Sequence, residues 1–145
     1  MDGAGFARGR RCVCGNIRRT ARSLTQFYDG YLRSCDLRVS QFSLLLNISL
    51  SGQTTVGGLA ELLLMDQTTV SRNLEWLKRA GFVEQAREAR DGRRRLLSLT
   101  PAGQAKLAEA MPLWEAAQAR VEAGVGKEKL RELLKLLTEI NTLTR

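Results

Sequence analysis

The chain has 145 residues, of which 43% are hydrophobic, so it can bury the core of one ordinary domain and is too apolar to be disordered. The chain has 23 Lys and Arg against 15 Asp and Glu, which gives a net charge of +8. This charge favours a polyanionic partner, and nucleic acid is a better candidate than an anionic membrane surface. No apolar run approaches the ~20 residues of a membrane span, and the basic N-terminus lacks the apolar segment of a signal peptide. We therefore expect a cytoplasmic protein that does not associate with membranes.

Histidine is absent, which removes the commonest general base and the commonest metal ligand. No serine or cysteine has a visible base partner, and no phosphate-binding glycine loop is present. Cys12, Cys14 and Cys35 are an odd number, so they do not suggest a disulfide framework and are expected to be reduced. The sequence predicts no enzyme activity, no metal site and no cofactor.

The first half of the chain predicts two helices behind a flexible tail at residues 1–11. From about residue 12 to 35 the apolar positions recur near every 3.6 residues, which predicts a long amphipathic helix. A second helix is expected to follow Ser40 as its N-cap and, being apolar nearly all round, to be buried.

Residues 55–81 predict a helix-turn-helix. Thr55 is expected to cap the first short helix and Asp66 the second, with a turn between them at Leu64-Met65. Gly81 is expected to end the second helix. Two further glycines, at positions 57 and 58, argue mildly against the first helix, since each costs roughly 1 kcal/mol inside a helix.

The segment from Arg87 to Arg95 holds five arginines around Asp91-Gly92. An Asp-Gly pair between apolar segments predicts a hairpin, because glycine accepts the positive φ that tight hairpin turns need. A hairpin with guanidinium groups at its tip is suited to meet phosphates or to enter a groove. The alternative interpretation is a solvated charge run.

Two helices complete the predicted chain. Thr100-Pro101 is expected to open the first, and Gly124 and Gly126 to end it. The last helix spans 127–143 with a leucine-rich face. The predicted fold class is mainly α with a small β-wing.

Candidate DNA contacts follow from a helix-turn-helix with a wing. The N-terminal part of the second helix meets base edges in such a unit, and its outward residues here can hydrogen-bond a base or a phosphate. These residues are Gln67, Thr68, Thr69, Ser71, Arg72 and Asn73. In the wing, Arg93 is the candidate for minor-groove insertion, Arg90, Arg94 and Arg95 for the phosphate backbone, and Asp91 for orienting a neighbouring arginine. A polar solvent-facing helix is the alternative.

With these features the chain resembles the MarR (multiple antibiotic resistance regulator) family of winged-helix repressors. The matching stretches are Leu62–Arg72, Asp91-Gly92-Arg93 and Leu99-Thr100-Pro101-Ala102-Gly103, within a resemblance covering about residues 12–143. The resemblance implies a winged helix-turn-helix with N- and C-terminal dimerisation helices. It also implies a homodimer that binds a pseudo-palindromic operator in double-stranded DNA. In this dimer, residues 12–36 and 101–145 form the dimerisation region and residues 37–100 bind DNA. One recognition helix covers only a half-site, which agrees with a dimer.

The resemblance also places Cys14 near the reactive cysteine of peroxide-sensing members. Cys14 and Cys12 are the candidate redox residues. Because these two cysteines lie too close for an easy mutual disulfide, the resolving thiol is expected to be Cys35 or a cysteine of the other subunit. The alternatives are a small buried thiol, a soft metal ligand, or a protein that binds a small-molecule effector, which the family implies by default.

The sequence therefore predicts a sequence-specific transcriptional regulator, a repressor released by a small-molecule or redox signal. A non-specific basic DNA- or RNA-binding architectural protein is the main alternative, and a protein-interaction module is another.

Overall fold

The computed structural model describes residues 8–145, so most of the predicted tail at 1–11 lies outside the described residues. The mainly helical fold class with a two-stranded wing is confirmed. The elements, in chain order, are α1 (Val13–Leu32) with a 3₁₀ turn (Arg33–Cys35), α2 (Val39–Ser51), α3 (Val56–Leu63), α4 (Gln67–Arg79), β1 (Val83–Arg87), β2 (Arg95–Leu99), α5 (Pro101–Val125) and α6 (Lys127–Leu143).

Three helices begin at the side-chain caps that the sequence predicts. The Thr55 hydroxyl accepts the Gly58 N–H at 3.0 Å, Asp66 caps α4, and Thr100 caps α5. A methyl group on Gly58 would stand 2.9 Å from the Thr54 hydroxyl and 3.3 Å from that of Thr55. Gly58, one of the two glycines that argued against this helix, therefore lies in close contact with the two threonines that precede the helix.

Helix α2 begins differently from the prediction. Ser40 lies inside the helix, and Arg38 occupies the N-cap position. The Gln41 side chain accepts the Arg38 N–H at 2.9 Å, and the Asp29 carboxylate of α1 accepts the Val39 N–H at 2.7 Å. The prediction of Ser40 as the cap was wrong, because a carboxylate from another helix, that of Asp29, accepts the first N–H of α2.

The core is built around α2. Its Phe42 ring stacks on Trp114 of α5 with centroids 5.8 Å apart, and its Leu45 and Ile48 are fully buried. Helix α4 packs on α2 through an apolar face that is likewise inaccessible to solvent, at Val70, Leu74 and Leu77.

The wing is an antiparallel pair in which Val83 faces Leu99 and Arg87 faces Arg95, and a one-residue bridge adds Thr54 beside Leu97. Strand pairing stops there, and residues 88–94 form the connecting loop. The prediction of a tight hairpin on a positive-φ glycine was wrong, because Gly92 is not among the described glycines with positive φ. The turn is closed instead by a hydrogen bond of 3.0 Å from the Arg94 N–H to the Asp91 carbonyl.

The chain crosses itself closely at the base of the wing. The Phe82 carbonyl accepts the Thr100 N–H at 3.1 Å, and the Thr100 hydroxyl donates to the Gly81 carbonyl. Gly103 lies directly against this crossing, since a methyl group built on it would stand 2.8 Å from the Phe82 carbonyl carbon. Only a residue without a side chain allows α5 to start so close to the wing.

Two helices carry apolar surface that a single chain leaves uncovered. No residue of α6 is buried, and Leu133, Leu134 and Leu136 are 45%, 56% and 48% exposed. In α1 only Leu32 is buried. Such a wide exposed apolar surface is typical of an interface with another chain.

We predict that Gly103→Ala lowers the free energy of unfolding by about 2 kcal/mol, because overpacking against an immobile carbonyl outweighs the gain of up to about 1 kcal/mol from better helix propensity. Urea denaturation measures the change. Gly124→Ala in the same helix is the control, since no atom lies within 4 Å of its added methyl group, and it should not destabilise the protein. Equal stability of the two variants would contradict the role of the crossing.

Candidate nucleic-acid interface

The outward residues of α4 divide into two groups. Gln67, Thr68, Ser71 and Arg72 are exposed, and their spacing places them on one side of the helix. Thr69 and Asn73, one turn apart, are half-buried beside them. The exposed group presents amide, hydroxyl and guanidinium groups, which are the donors and acceptors that read base edges and phosphates.

Thr69 has a structural task at the start of α4. Its hydroxyl donates to Asp66 Oδ2 at 2.6 Å and its N–H to Oδ1 at 2.8 Å. These bonds to the ionised carboxylate, with the hydroxyl bond the larger cause, hold the pKa of Asp66 below its ordinary value of 3.8. The Thr69 hydroxyl proton is therefore already engaged, unlike that of Thr68.

The wing exposes its arginines unequally. Arg94 lies 3.5 Å from the half-buried Glu88 carboxylate, which draws it toward the wing itself. Arg90, Arg93 and Arg95 are exposed and take part in no salt bridge among residues 8–145. The Asp91 carboxylate accepts the Arg93 main-chain N–H at 3.0 Å, so it acts on the loop backbone rather than on a guanidinium. Arg93 and Arg94 lie in the loop before β2, so the alternation of a strand does not place their side chains on opposite sides.

Two arginines face each other where the strands end. Arg87 is the cross-strand partner of Arg95, and like charges directly opposite each other destabilise a strand pair. An anion bound between them would remove this repulsion.

One contact that sequence reasoning missed ties the wing to α4. Lys78 Nζ donates to Gln85 Oε1 at 2.7 Å, and the Trp76 and Phe82 rings lie 6.1 Å apart between centroids. Nothing in the local sequence marks Lys78, since its partner lies beyond the end of the helix.

The cysteines fall into two separate environments. Cys12 and Cys14 are exposed at the start of α1, whereas Cys35 is buried and its thiol donates to the Leu32 carbonyl at 3.1 Å. The helix between Cys14 and Leu32 is roughly 27 Å long at 1.5 Å per residue. Cα atoms must approach within about 7 Å for a disulfide, so the expectation that Cys35 could resolve Cys14 within one subunit was wrong.

Within residues 8–145 no three His, Cys, Asp or Glu side chains cluster as metal ligands. None of the helices described is long and apolar enough to cross a membrane.

We predict that Thr69→Val raises the pKa of Asp66 toward 3.8, because the hydroxyl bond to the carboxylate is lost. Above pH 3.8 the Asp66 cap contributes fully to stability. Its contribution is lost as the pH falls through the pKa of Asp66 in the folded protein, which lies below 3.8. Because this pKa is higher in the variant, the variant loses the contribution of the cap at a higher pH. An NMR titration of the Asp66 carboxyl carbon measures the shift. Thr68→Val, one residue away and exposed, is the control; identical midpoints in the two variants would refute this explanation.

A model of the MarR family matches residues 36–94. An uncharacterised HTH-type transcriptional regulator of Bacillus cereus is 31% identical over 126 residues, covering 86% of this chain and 83% of the relative. The transcriptional regulator MosR of M. tuberculosis, solved in complex with DNA, is 39% identical with a TM-score of 0.80, covering 92% of this chain and 98% of that one. A mutant of E. coli MarR complexed with operator DNA shares the fold, with a TM-score of 0.81 at 22% identity over 88% of this chain and 92% of that one. The chain belongs to the MarR family of transcriptional regulators.

Proposed function

We propose that the protein is a homodimeric, sequence-specific DNA-binding repressor that a redox or small-molecule signal releases from a pseudo-palindromic operator. One observation carries this proposal: a relative 39% identical over 92% of this chain is solved in complex with DNA. The exposed polar side of α4 and the arginine wing are the surfaces suited to that partner. A regulatory rather than catalytic role, and a cytoplasmic location, follow from a chromosomal DNA partner.

The proposed dimer uses residues 12–36 and 101–145, and residues 37–100 bind DNA. The uncovered leucines of α6 and the exposed side of α1 support this division. A two-fold pair places two copies of α4 about 34 Å apart, which matches two successive major grooves on one side of a duplex.

Within each half-site, the exposed side of α4 meets base edges. Gln67 suits adenine and Arg72 suits guanine, while Thr68 and Ser71 can serve either a base or a phosphate. Thr69 and Asn73 lie at the border of this contact. Arg93 enters the minor groove, and the remaining wing arginines, Arg90, Arg94 and Arg95, contact phosphates.

Competition for binding tests this function. A repressor prefers its operator to random duplex by about 10³-fold or more, whereas a charge-driven architectural protein shows little preference and a steep salt dependence. A DNA segment upstream of the protein's own gene is the probe, with random duplex as competitor at physiological salt. Equal affinity for both duplexes would favour the architectural alternative.

We predict that Arg93→Ala weakens binding to this DNA by roughly 10-fold, the loss expected for one well-placed arginine contact. Fluorescence anisotropy measures the affinity, and sedimentation checks that the dimer is unchanged. Arg79→Ala is the control, because that arginine is also exposed but pairs with Glu75 at 3.0 Å on the last turn of α4. Unchanged binding by Arg93→Ala would mean that the wing tip does not contact DNA.

The exposed Cys14 is the proposed redox centre. A thiolate there reduces a peroxide by two electrons, giving a sulfenic acid and releasing water or an alcohol, and a second thiol can then condense with it to a disulfide. A thiol of the partner subunit would be that second thiol, since the same subunit's Cys12 is too close to Cys14 for an easy disulfide and its Cys35 is out of reach.

We predict that Cys14→Ser keeps DNA binding but no longer releases DNA after mild peroxide treatment. Anisotropy before and after oxidation, with recovery by reductant, measures this response. Cys12→Ser is the control, because it leaves Cys14 in place and should still release DNA on oxidation. A Cys14→Ser protein that still dissociates on oxidation would overturn the redox assignment.

One observation also supports a small-molecule effector. A cleft of about 590 Å³ lies between the end of α1, the start of α2 and the indole of Trp76 on α4. It is lined by Asp29, Arg33, Asp36, Leu37, Arg38, Gln41 and Trp76. An effector there would contact α4 and the end of α1 at once.

A further inference from the structure

Most of the positive charge of this protein lies away from its DNA-reading elements. Residues 8–22, called here the N-terminal arm, contain six arginines and no acid, and the first carboxylate after them is Asp29. These arginines are Arg8, Arg10, Arg11, Arg18, Arg19 and Arg22.

The charge of the rest of the chain makes this concentration clear. The wing segment 87–95 carries five arginines and two acids, a formal +3 against +6 for the N-terminal arm. Residues 23–86 and 96–145 together hold twelve basic and twelve acidic residues and sum to zero, while Asp2 brings the total to +8. The arm therefore has twice the excess charge of the wing.

The N-terminal arm projects from the folded body. Every residue from 8 to 22 is exposed. The contacts of α1 with α5 lie further along, where Leu24 and Phe27 adjoin Val121 and Tyr28 donates to Gln118 at 2.7 Å. Helix α1 packs chiefly on α2 and α5, not on α3, α4 or the wing. The arm thus occupies a separate place from the α4 and wing surface of its own subunit.

The arginines and the apolar residues occupy opposite sides of this helix. At about 100° per residue, Val13, Ile17 and Leu24 fall on one side, whereas Arg18, Arg19 and Arg22 fall on the other. The apolar side is 37% to 57% exposed and is continuous with the proposed dimer surface. A partner subunit on that side would leave the arginine side open.

The arginine charges destabilise the helix of the N-terminal arm when no anion is bound to them. The first turn of α1 has no acid and its N-cap makes no side-chain hydrogen bond, so the nearby arginines meet the positive end of the helix dipole. Arg18 and Arg22 are one turn apart and repel each other. No salt bridge among residues 8–145 includes an arginine of the arm. A bound polyanion would turn each of these unfavourable terms into a favourable one.

We propose that the N-terminal arm is a second polyanion-binding surface, which takes the phosphate backbone of duplex DNA separately from α4 and the wing. Guanidinium groups pair with phosphates in a bidentate manner, and a run without acids suits the regular charge of a duplex. A membrane surface fits less well, because within the arm only Val13 and Ile17 are large aliphatic residues and membrane-binding helices bury a broad apolar face. A dimer carries two arms and can hold a second duplex beside its operator. This proposal rests on the proposed DNA-binding function only in that the first duplex, the operator, is bound by α4 and the wing.

The test compares two variants with equal charge change, under reducing conditions. The arm variant is R10Q/R11Q/R18Q/R22Q, and the control is K127Q/K129Q/R131Q/K135Q in α6; both lie partly or wholly in the proposed dimerisation segments, so sedimentation first verifies that each variant remains a dimer. Binding to random duplex is measured as a function of salt. We expect the salt slope of the arm variant to fall by about 0.9 for each arginine that contacts a phosphate, and that of the control to stay near the unmodified value.

A second measurement separates the arm from the operator surface. Protein saturated on an immobilised upstream fragment should capture a labelled random duplex, and the arm variant should bind the fragment but lose the capture. No capture by the unmodified protein, capture retained by the arm variant, or a loss shared with the control would each overturn the proposal. Binding to phosphatidylserine vesicles that the arm variant alone loses, with unchanged DNA slopes, would also overturn it in favour of a membrane. If the protein does not prefer the upstream fragment over random duplex but the salt slopes of the arm variant and the control still differ, the proposed operator binding is contradicted and the proposal for the N-terminal arm is supported.

Discussion

The close crossing at Phe82 is the constraint on which the geometry of the DNA-reading surface depends. Helix α4 ends at Arg79, Gly81 with its φ of +77° turns the chain into β1, and β2 returns to the same point before α5 begins at Pro101. The Phe82 carbonyl binds the Thr100 N–H, while its ring lies beside Trp76 and 5.8 Å from Lys106 Nζ. Since the main chain itself makes the crossing, the end of α4, the base of the wing and the start of α5 meet at one point. A change in the separation of two α5 helices in a dimer must then carry both reading elements with it.

The two acids of the wing show how its charge is distributed. The Asp91 carboxylate accepts the Arg93 main-chain N–H and Glu88 lies 3.5 Å from Arg94, so neither carboxylate pairs with the guanidinium groups of Arg90, Arg93 and Arg95. The wing therefore keeps its outer guanidinium groups available while its loop is shaped by internal bonds.

Local signals predicted most of the fold, and tertiary partners explain the errors. Thr55, Asp66 and Thr100 each cap a helix through an N–H three residues away, so four residues of sequence contain the whole interaction. The start of α2 depends on Asp29 in another helix, which no local pattern reveals. The wing was predicted as a hairpin, but its loop is longer than the Asp-Gly pair suggested. The polar side of α4 was visible in the sequence, yet the capping task of Thr69 and the link from Lys78 to Gln85 required the folded chain.

Helix α1 connects the cysteines and the arginines of the N-terminal arm to the folded body. Cys12 and Cys14 stand between Arg11 and Arg18, so oxidation of either thiol would alter the same segment that carries the arm's charge. The helix continues without a break to Leu32, which is fully buried, and near its end the Asp29 carboxylate accepts the first N–H of α2. A rigid helix that ends in the core transmits a tilt at its start as a displacement at its end. If Cys14 is the redox centre as proposed, the Asp29 bond to the first turn of α2 and the packing of α2 against α4 form a continuous route by which a tilt of α1 would reach α4.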